Sequence, residues 1–351
     1  MSKHNPLIRR TIGMLAAAAL ISGTMSALHS ALPRSQAAPV LAPETPAQTA
    51  APVAGEKDLE TDRTAERRGG VFTLILAGLD EVSGNTDTIL VGRVDAQARR
   101  MDFVSIPRDT YVNLPWEVRK INCVYTGTIN SGGSGLEGLR GSVRSLTGFD
   151  ADCCAVVDIG TVKEAIDLMG GVYFDVPFDM DYEDAEQDLY IHIPAGYRCL
   201  SGEECVQLCR YRKDYVNGDL DRITLQHSFL SAAAKQFISL GSIPNLARVV
   251  QLLSSGMDSD VTASNIAFLM RCAIQCRAED IGFYTMPNIP ADVDGLSYTF
   301  VEPEAWLELL NETLNPFDAP LREENLDLVY WRGGALRSTL GVIRGKTEQG
   351  A

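Results

Sequence analysis

Apolar positions along the chain fall into two regimes. From Thr11 to Pro33 no Asp, Glu, Lys or Arg interrupts them, whereas from Gly69 onward they follow strand and helix periods. The first run would make a helix of roughly 34 Å, enough to cross a hydrocarbon core. Lys3, Arg9 and Arg10 precede it, and such a positive flank stays on the cytoplasmic side, so the rest of the chain is expected outside. Residues 11–33 read as a transmembrane anchor. A cleaved signal peptide is the alternative, because Ser35-Gln36-Ala37 offers a small-x-small site. Residues 1–10 are then a cytoplasmic basic flank. Residues 34–68, rich in Ala, Pro, Thr and Glu, read as a flexible linker. A single folded domain is expected over 69–335, followed by a tail over 336–351.

Within that domain VFTLILAGL (71–79) is an unbroken apolar run with β-branched residues, which predicts a buried strand. TILVGRVD (88–95) and the alternating RMDFVSIP (100–107) predict two more, the three forming a central meander. Residues 108–135 show no clear period and read as a long irregular, functional passage. Helices are predicted over 136–148 and 161–171, with strands at 152–159, 172–177 and 189–196. Ser201, with Glu204 three residues on, predicts the capping box of a helix running to Arg212. Amphipathic helices over 221–240, 244–255 and 262–276, a strand over 280–287 and a helix over 303–314 complete the pattern. Strands and helices interleave without repeat or second linker. The fold class expected is α/β, one three-layer α/β/α domain with a mixed central sheet.

The 351 residues carry 31 Lys+Arg against 46 Asp+Glu, a net charge of −15. That balance argues against general nucleic-acid binding, so an anionic ligand must be gripped locally. Eight cysteines in an exported chain raise the question of disulfides. The pairs Cys205/Cys209 and Cys272/Cys276 are spaced i,i+4 on helices, too far apart for a disulfide. Most of the eight read as small buried hydrophobes, with Cys199/Cys205 the one local pair left open. Without a C-x-x-C pair, and with four scattered histidines, a structural zinc site is not expected.

Three stretches carry candidate chemistry. Asp80 and Asp87 flank a loop at the end of the first strand, where two carboxylates can share a hard cation such as Mg²⁺; turn chemistry is the plain alternative. Arg108 and Asp109 stand just past the third strand, and Lys120 follows in KINCVY. An ordinary surface ion pair would explain the first two equally well. The segment CRYRKDYVNGDLDR (209–222) crowds Arg210, Arg212 and Arg222 around Asp219, with Gln226 one turn beyond Arg222. Cations suit a helix C-terminus, but guanidinium forks converging from consecutive helices suit a diphosphate. An acid among them is a candidate proton acceptor.

IPRDTYV, KIN-x-x-Y, RYR-x-D…GDLDRI and the glycine pair of MGGVYFDVP resemble, in order, the LytR-CpsA-Psr family. The likeness spans about residues 70–240 and weakens towards 315. It implies an exported, membrane-anchored α/β domain that binds polyprenyl pyrophosphate lipids. Such proteins move a glycopolymer, teichoic acid or capsule, from that carrier onto peptidoglycan with Mg²⁺. By position the resemblance assigns Asp80 and Asp87 to the metal. It assigns Arg108, Lys120, Arg210, Arg212, Arg222 and Gln226 to the pyrophosphate, with Asp219 the acid beside them. For the attack of an acceptor hydroxyl, Asp219 or Asp109 is the expected base. Amphipathic helices over 136–170 and 221–276 are expected to line a tunnel for the prenyl tail. The chain departs from the family at two places. Asn85 replaces a phosphate-facing arginine, and Leu225 stands where a second helix arginine is common. The alternatives are a polyprenyl-pyrophosphate hydrolase and a non-catalytic lipid-binding or regulatory module.

Overall fold

A computed structural model describes residues 65–344, apart from 81–83, 185–188, 212, 214–223, 227, 234–235, 237–247, 249–250 and 253–254. The predicted anchor, nearly all of the linker and the segment holding Arg212, Asp219 and Arg222 lie outside the described residues. Among the described residues no helix is long and apolar enough to cross a membrane.

The expected meander forms first: β1 (Val71–Asp80), β2 (Asn85–Asp95) and β3 (Arg100–Ile106). Residues 108–135 are more regular than their pattern implied. A single 3-10 turn at Ile121–Cys123 runs into α1 (Val124–Asn130). Four glycines and several β-branched residues in this stretch hide the helical period. Next come α2 (Gly135–Thr147), β4 (Cys153–Asp158) and α3 (Ile159–Leu168). Gly148 closes α2 in the left-handed region at φ 76°, as only glycine does without strain. β5 (Val172–Val176), β6 (Met180–Asp184), β7 (Leu189–Ile193) and β8 (Gly196–Leu200) form two hairpin-like pairs, β5 with β8 and β6 with β7. Ser201 and Glu204 make both halves of the predicted capping box on α4 (Gly202–Arg210). β9 (Met257–Ser259), α5 (Ala263–Gln275), β10 (Ile281–Thr285), β11 (Asn288–Val293), β12 (Leu296–Val301), α6 (Pro303–Leu309), β13 (Val329–Arg332) and β14 (Ala335–Ser338) follow.

The central sheet has the order β10-β3-β2-β1-β4-β9. β1/β4 and β3/β10 pair parallel and the other neighbours antiparallel, so the sheet is mixed. Its strands alternate cleanly between two cores, because successive strand residues face opposite ways. Ile75, Ile89, Val91, Val104 and Val156 pack with Leu139, Val143, Trp306 and Leu310 on one face. Leu74, Leu76, Leu90, Phe103 and Ala155 pack with Phe268, Leu269 and Ala273 of α5 on the other. The helices therefore sandwich the sheet, and β1, β3, β4 and β10 all finish at the same end of it.

The folded unit is wider than 69–335 at both ends. Arg67 donates to the buried carboxylate of Asp152, to Thr73 Oγ1 at 2.9 Å and to the Asp150 carbonyl at 3.0 Å. The Arg68 amide donates to the Pro316 carbonyl at 2.9 Å. At the far end β14 runs to Ser338, and the Arg344 amide donates to Asn113 Oδ1 at 2.8 Å. All eight cysteines are free, including Cys199 and Cys205, which the sequence had left open as a pair.

One prediction concerns stability and a second concerns thiol reactivity. Arg67→Met, or a chain starting at Gly69, leaves Asp152 without its ionic partner. We expect a loss of about 1.5–3 kcal/mol, read from the urea midpoint; an unchanged midpoint would mean that the segment before Gly69 does not dock. Burial raises the thiols of Cys154, Cys209 and Cys272 to about 12, and Cys199 alone is exposed. Because the thiolate is the nucleophile, iodoacetamide at neutral pH should alkylate Cys199 well before the other seven, as mass spectrometry of the native protein would show.

Candidate functional site

The end of the sheet at which β1 and β3 finish gathers Asp80, Asp87, Arg108, Asp109 and Lys120 from among the charges that sequence reading singled out, on elements that differ from those expected. β2 begins at Asn85 rather than Thr88, so Asp87 belongs to a strand, not a loop. Asp80 pairs across β1/β2 with Asn85, and Gly84, at φ 66°, makes the turn between them. A bulge at Gly78/Leu79 shifts the register so that Thr88 faces Gly78 and Thr86 faces Leu79. Asp87 is the extra residue at that shift. Bulges re-aim a side chain in this way beside functional sites.

Three segments are then tied to this hairpin. The Asn122 amide donates to the Arg108 carbonyl at 3.1 Å, and Thr86 Oγ1 donates to the Asn122 carbonyl at 3.3 Å. Thr126 Oγ1 donates to the Gly84 carbonyl. Tyr125, the last residue of KIN-x-x-Y, donates its hydroxyl to Asp258 Oδ2 of β9 at 2.7 Å. Burial and that carboxylate raise the Tyr125 phenol well above its usual range, so it stays protonated as a donor.

The result is a continuous ionic series. Arg108 Nη1 lies 3.2 Å from Asp87 Oδ1, Arg108 Nε lies 3.6 Å from Asp109 Oδ2, and Lys120 Nζ lies 2.9 Å from Asp109 Oδ1. Asp87 and Arg108 are 2% and 3% exposed, so this is no surface ion pair. Asp109 and Lys120 sit slightly further out, with side chains 13% and 16% exposed. Cys123 borders the series; burial raises its thiol, with Lys120 pulling the other way, which keeps it a thiol rather than a nucleophile.

The remaining predicted residues divide. Arg210 ends α4, two residues before Arg212, where the sequence pattern placed the end, because Tyr211 is already extended at ψ 139°. Gln226 is buried, and its side-chain nitrogen donates to the Cys209 carbonyl at 3.1 Å, tying the next helical turn to the end of α4. Leu225, at the position where the family favours a second arginine, is packed in the core with Val206, Cys209 and Phe229. A residue there turns inward. Arg212, Asp219 and Arg222 lie outside the described residues, as do parts of the helices over 221–255 expected to line a prenyl tunnel, whereas α2, α3 and α5 of that set are described. A cavity of about 460 Å³ opens elsewhere, between β10 and α6, against Phe283, Pro287 and Leu309.

As a Mg²⁺ site the donor chemistry fits: Asp80 and Asp87 offer only oxygen, and both stand at the hairpin end. Among the described residues no group of three or more His, Cys, Asp or Glu could hold a metal. A cation here would therefore rely on these two carboxylates with water or ligand oxygens, the usual habit of Mg²⁺.

Residues 44–315 match the LytR_cpsA_psr family. The chain belongs to that family. It is similar to a polyisoprenyl-teichoic acid–peptidoglycan teichoic acid transferase, TagV, of Bacillus subtilis, at 25% identity over 59% of this chain and 54% of that protein. It is also similar to the cell wall biosynthesis protein LcpA of Corynebacterium glutamicum, at 30% identity over 67% of this chain and 49% of that protein. The chain thus spans about half the length of these curated relatives. The solved B. subtilis TagV structure shares the fold, with a TM-score of 0.53 at 23% identity over 69% of this chain and 96% of that one. The LytR_cpsA_psr match ends before β13, so the last hairpin lies beyond it.

Sequence reading missed the aromatic wall beside Lys120. Tyr298 of β12 sits under the Lys120 ammonium, 5.6 Å from ring centroid to Nζ. Its hairpin does carry a signal: Asp294-Gly295 takes φ 53° and 78° between β11 and β12, and Asp-Gly favours such two-residue turns.

Arg108 is expected to contribute to the stability of the fold through its buried pair with Asp87. Arg108→Met should cost about 3–5 kcal/mol, because Asp87 stays buried without its cation. Adding Asp87→Asn should recover much of that in urea unfolding, and full additivity of the two losses would contradict the pairing.

Proposed function

We propose that the chain is a Mg²⁺-assisted phosphotransferase that moves a glycopolymer from a polyprenyl-pyrophosphate carrier onto peptidoglycan, outside the cell membrane. The observation that carries this reading is the Asp87–Arg108–Asp109–Lys120 series at the strand ends, with Arg210 also described at the end of α4. Family membership supports it, as does the name of the B. subtilis relative. Phosphoryl transfer mainly demands positioning and charge neutralisation around the transferred group. A diphosphate entering here would compete with Asp109 for Lys120 and draw on the field of Arg108. An acceptor sugar hydroxyl would attack the phosphorus bearing the glycan. The bond to the bridging oxygen breaks, and polyprenyl phosphate leaves. Asp109, held between two cations and partly open, is the described carboxylate placed to take the hydroxyl proton; Asp219 remains the other candidate. Asp80 and Asp87 would hold Mg²⁺, which supplies further positive charge to the diphosphate oxygens.

The purified protein in detergent, given a lipid-pyrophosphate oligosaccharide with and without a glycan acceptor, tests the reading. Transfer that requires acceptor, and stops on chelation of Mg²⁺, is the expected result. Release of lipid phosphate without acceptor would make the chain a hydrolase, and binding without turnover a lipid-binding module.

Asn85 offers a sharper test. It is half-buried at the hairpin end, paired with Asp80. A charged hydrogen bond contributes about 1.5–3 kcal/mol, so Asn85→Arg should raise turnover roughly tenfold or more. Unchanged turnover and lipid affinity would mean that the 84–88 hairpin does not face the phosphates.

A further inference from the structure

Lys120 sits at the open end of the ionic series, on a four-carbon stem that a single carboxylate restrains poorly. The backbone around it is fixed from two sides. Tyr111 and Lys120 form an antiparallel bridge, with the Ile121 amide donating to the Thr110 carbonyl at 2.9 Å. On the other side the Tyr111 amide donates to the Thr299 carbonyl, and the Thr299 amide to the Asp109 carbonyl, both at 2.9 Å. Thus β12 is stitched directly to Asp109 and delivers Tyr298 to Lys120.

Tyr298 is itself held hard. It is 3% exposed and meets Tyr111 edge-on at 5.1 Å, while its hydroxyl accepts from the Arg119 amide at 3.4 Å. Tyr111 stacks on Phe300 at 5.2 Å, and Phe300 contacts Trp331 at 5.9 Å. Trp331 belongs to β13, beyond the family-matched residues. An aromatic ladder therefore runs from the last hairpin to the ammonium.

We propose that Tyr298 is a positioning residue for Lys120: its ring face holds the ammonium at the site when a diphosphate displaces it from Asp109. A ring face attracts a cation without consuming its charge or its N–H donors, so the lysine stays available to the incoming anion. The part of the proposal that concerns a ligand rests on the function proposed above; the placement of Lys120 does not.

The two parts separate experimentally. In the ¹³C-lysine-labelled protein, ring-current shifts of the Lys120 Cε protons should appear in wild type and Tyr298→Phe and vanish in Tyr298→Leu. Farnesyl diphosphate in detergent should bind about tenfold more weakly to Tyr298→Leu than to wild type, and nearly normally to Tyr298→Phe. In a Lys120→Met background, Tyr298→Leu should cost nothing further. If Tyr298→Leu does not fold, Tyr298→pentafluorophenylalanine keeps the shape, reverses the ring's charge distribution and should weaken binding likewise. Unshifted Lys120 protons, or an equal loss of affinity in the Lys120→Met background, would overturn the positioning role. Shifted Lys120 protons in a wild type that binds no farnesyl diphosphate would overturn the diphosphate reading and leave the placement standing.

Discussion

A guanidinium that water barely reaches must find its counterions inside the protein, and the candidate site is arranged around that demand at Arg108. Burying an ion costs several kcal/mol unless close partners and hydrogen bonds offset it. Asp87 supplies one partner, and it can do so because a bulge in β1/β2 aims it there. Asp109 supplies a second contact, and the Asn122 amide fixes the Arg108 carbonyl. The Asp87 pair ties the hairpin to the strand end after β3 through the Arg108 side chain, and the Asn122 amide ties the turn before α1 to the same residue through its backbone, so three segments meet at Arg108. Such a site is largely assembled before any ligand arrives, which is what electrostatic stabilisation of a transferring group needs.

The same arrangement grades the four charges by depth. Asp87 and Arg108 are closed off, whereas Asp109 and Lys120 keep some exposure. Interactions inside a poorly solvated region are stronger than at the surface. The inner pair therefore fixes geometry and field, and the outer pair is left to exchange partners. On the function proposed above, a lysine suits the outer end of the series, since a compact, mobile ammonium can exchange a carboxylate for a phosphate, while a planar fork suits the buried inner pair.

What the sequence made legible was whatever a local pattern or a side chain's chemistry encodes. Unbroken runs such as VFTLILAGL announced the central strands, Ser201 with Glu204 announced the start of α4, and Gly148 the end of α2. The charged residues of the site were readable as residue types, and Arg108, Asp109 and Lys120 do meet. Their order of burial was not readable, because it depends on a register shift between two strands. Residues 124–130 escaped because Gly127 and β-branched neighbours weaken the helical signal, although Thr126 and Tyr125 anchor that helix through contacts 42 and 133 residues away in sequence. Long-range contacts of that kind leave no periodicity. The β11/β12 hairpin, by contrast, was available from Asp294-Gly295 and its alternating flanks.

That hairpin shows how far the site extends beyond its charges. Tyr298 contributes no charge and no catalytic proton, yet its strand is bonded to the backbone of Asp109 and its ring to the ammonium of Lys120. Phe300, two residues on, passes the packing to Trp331 in a hairpin outside the family-matched span. A substitution in that last hairpin can therefore reach the site by loosening an aromatic ladder, with no change in any ion pair. Relatives that share the four charges but differ after residue 315 need not hold their lysine in the same way, so identity of the charged residues alone does not establish equal geometry at the phosphate.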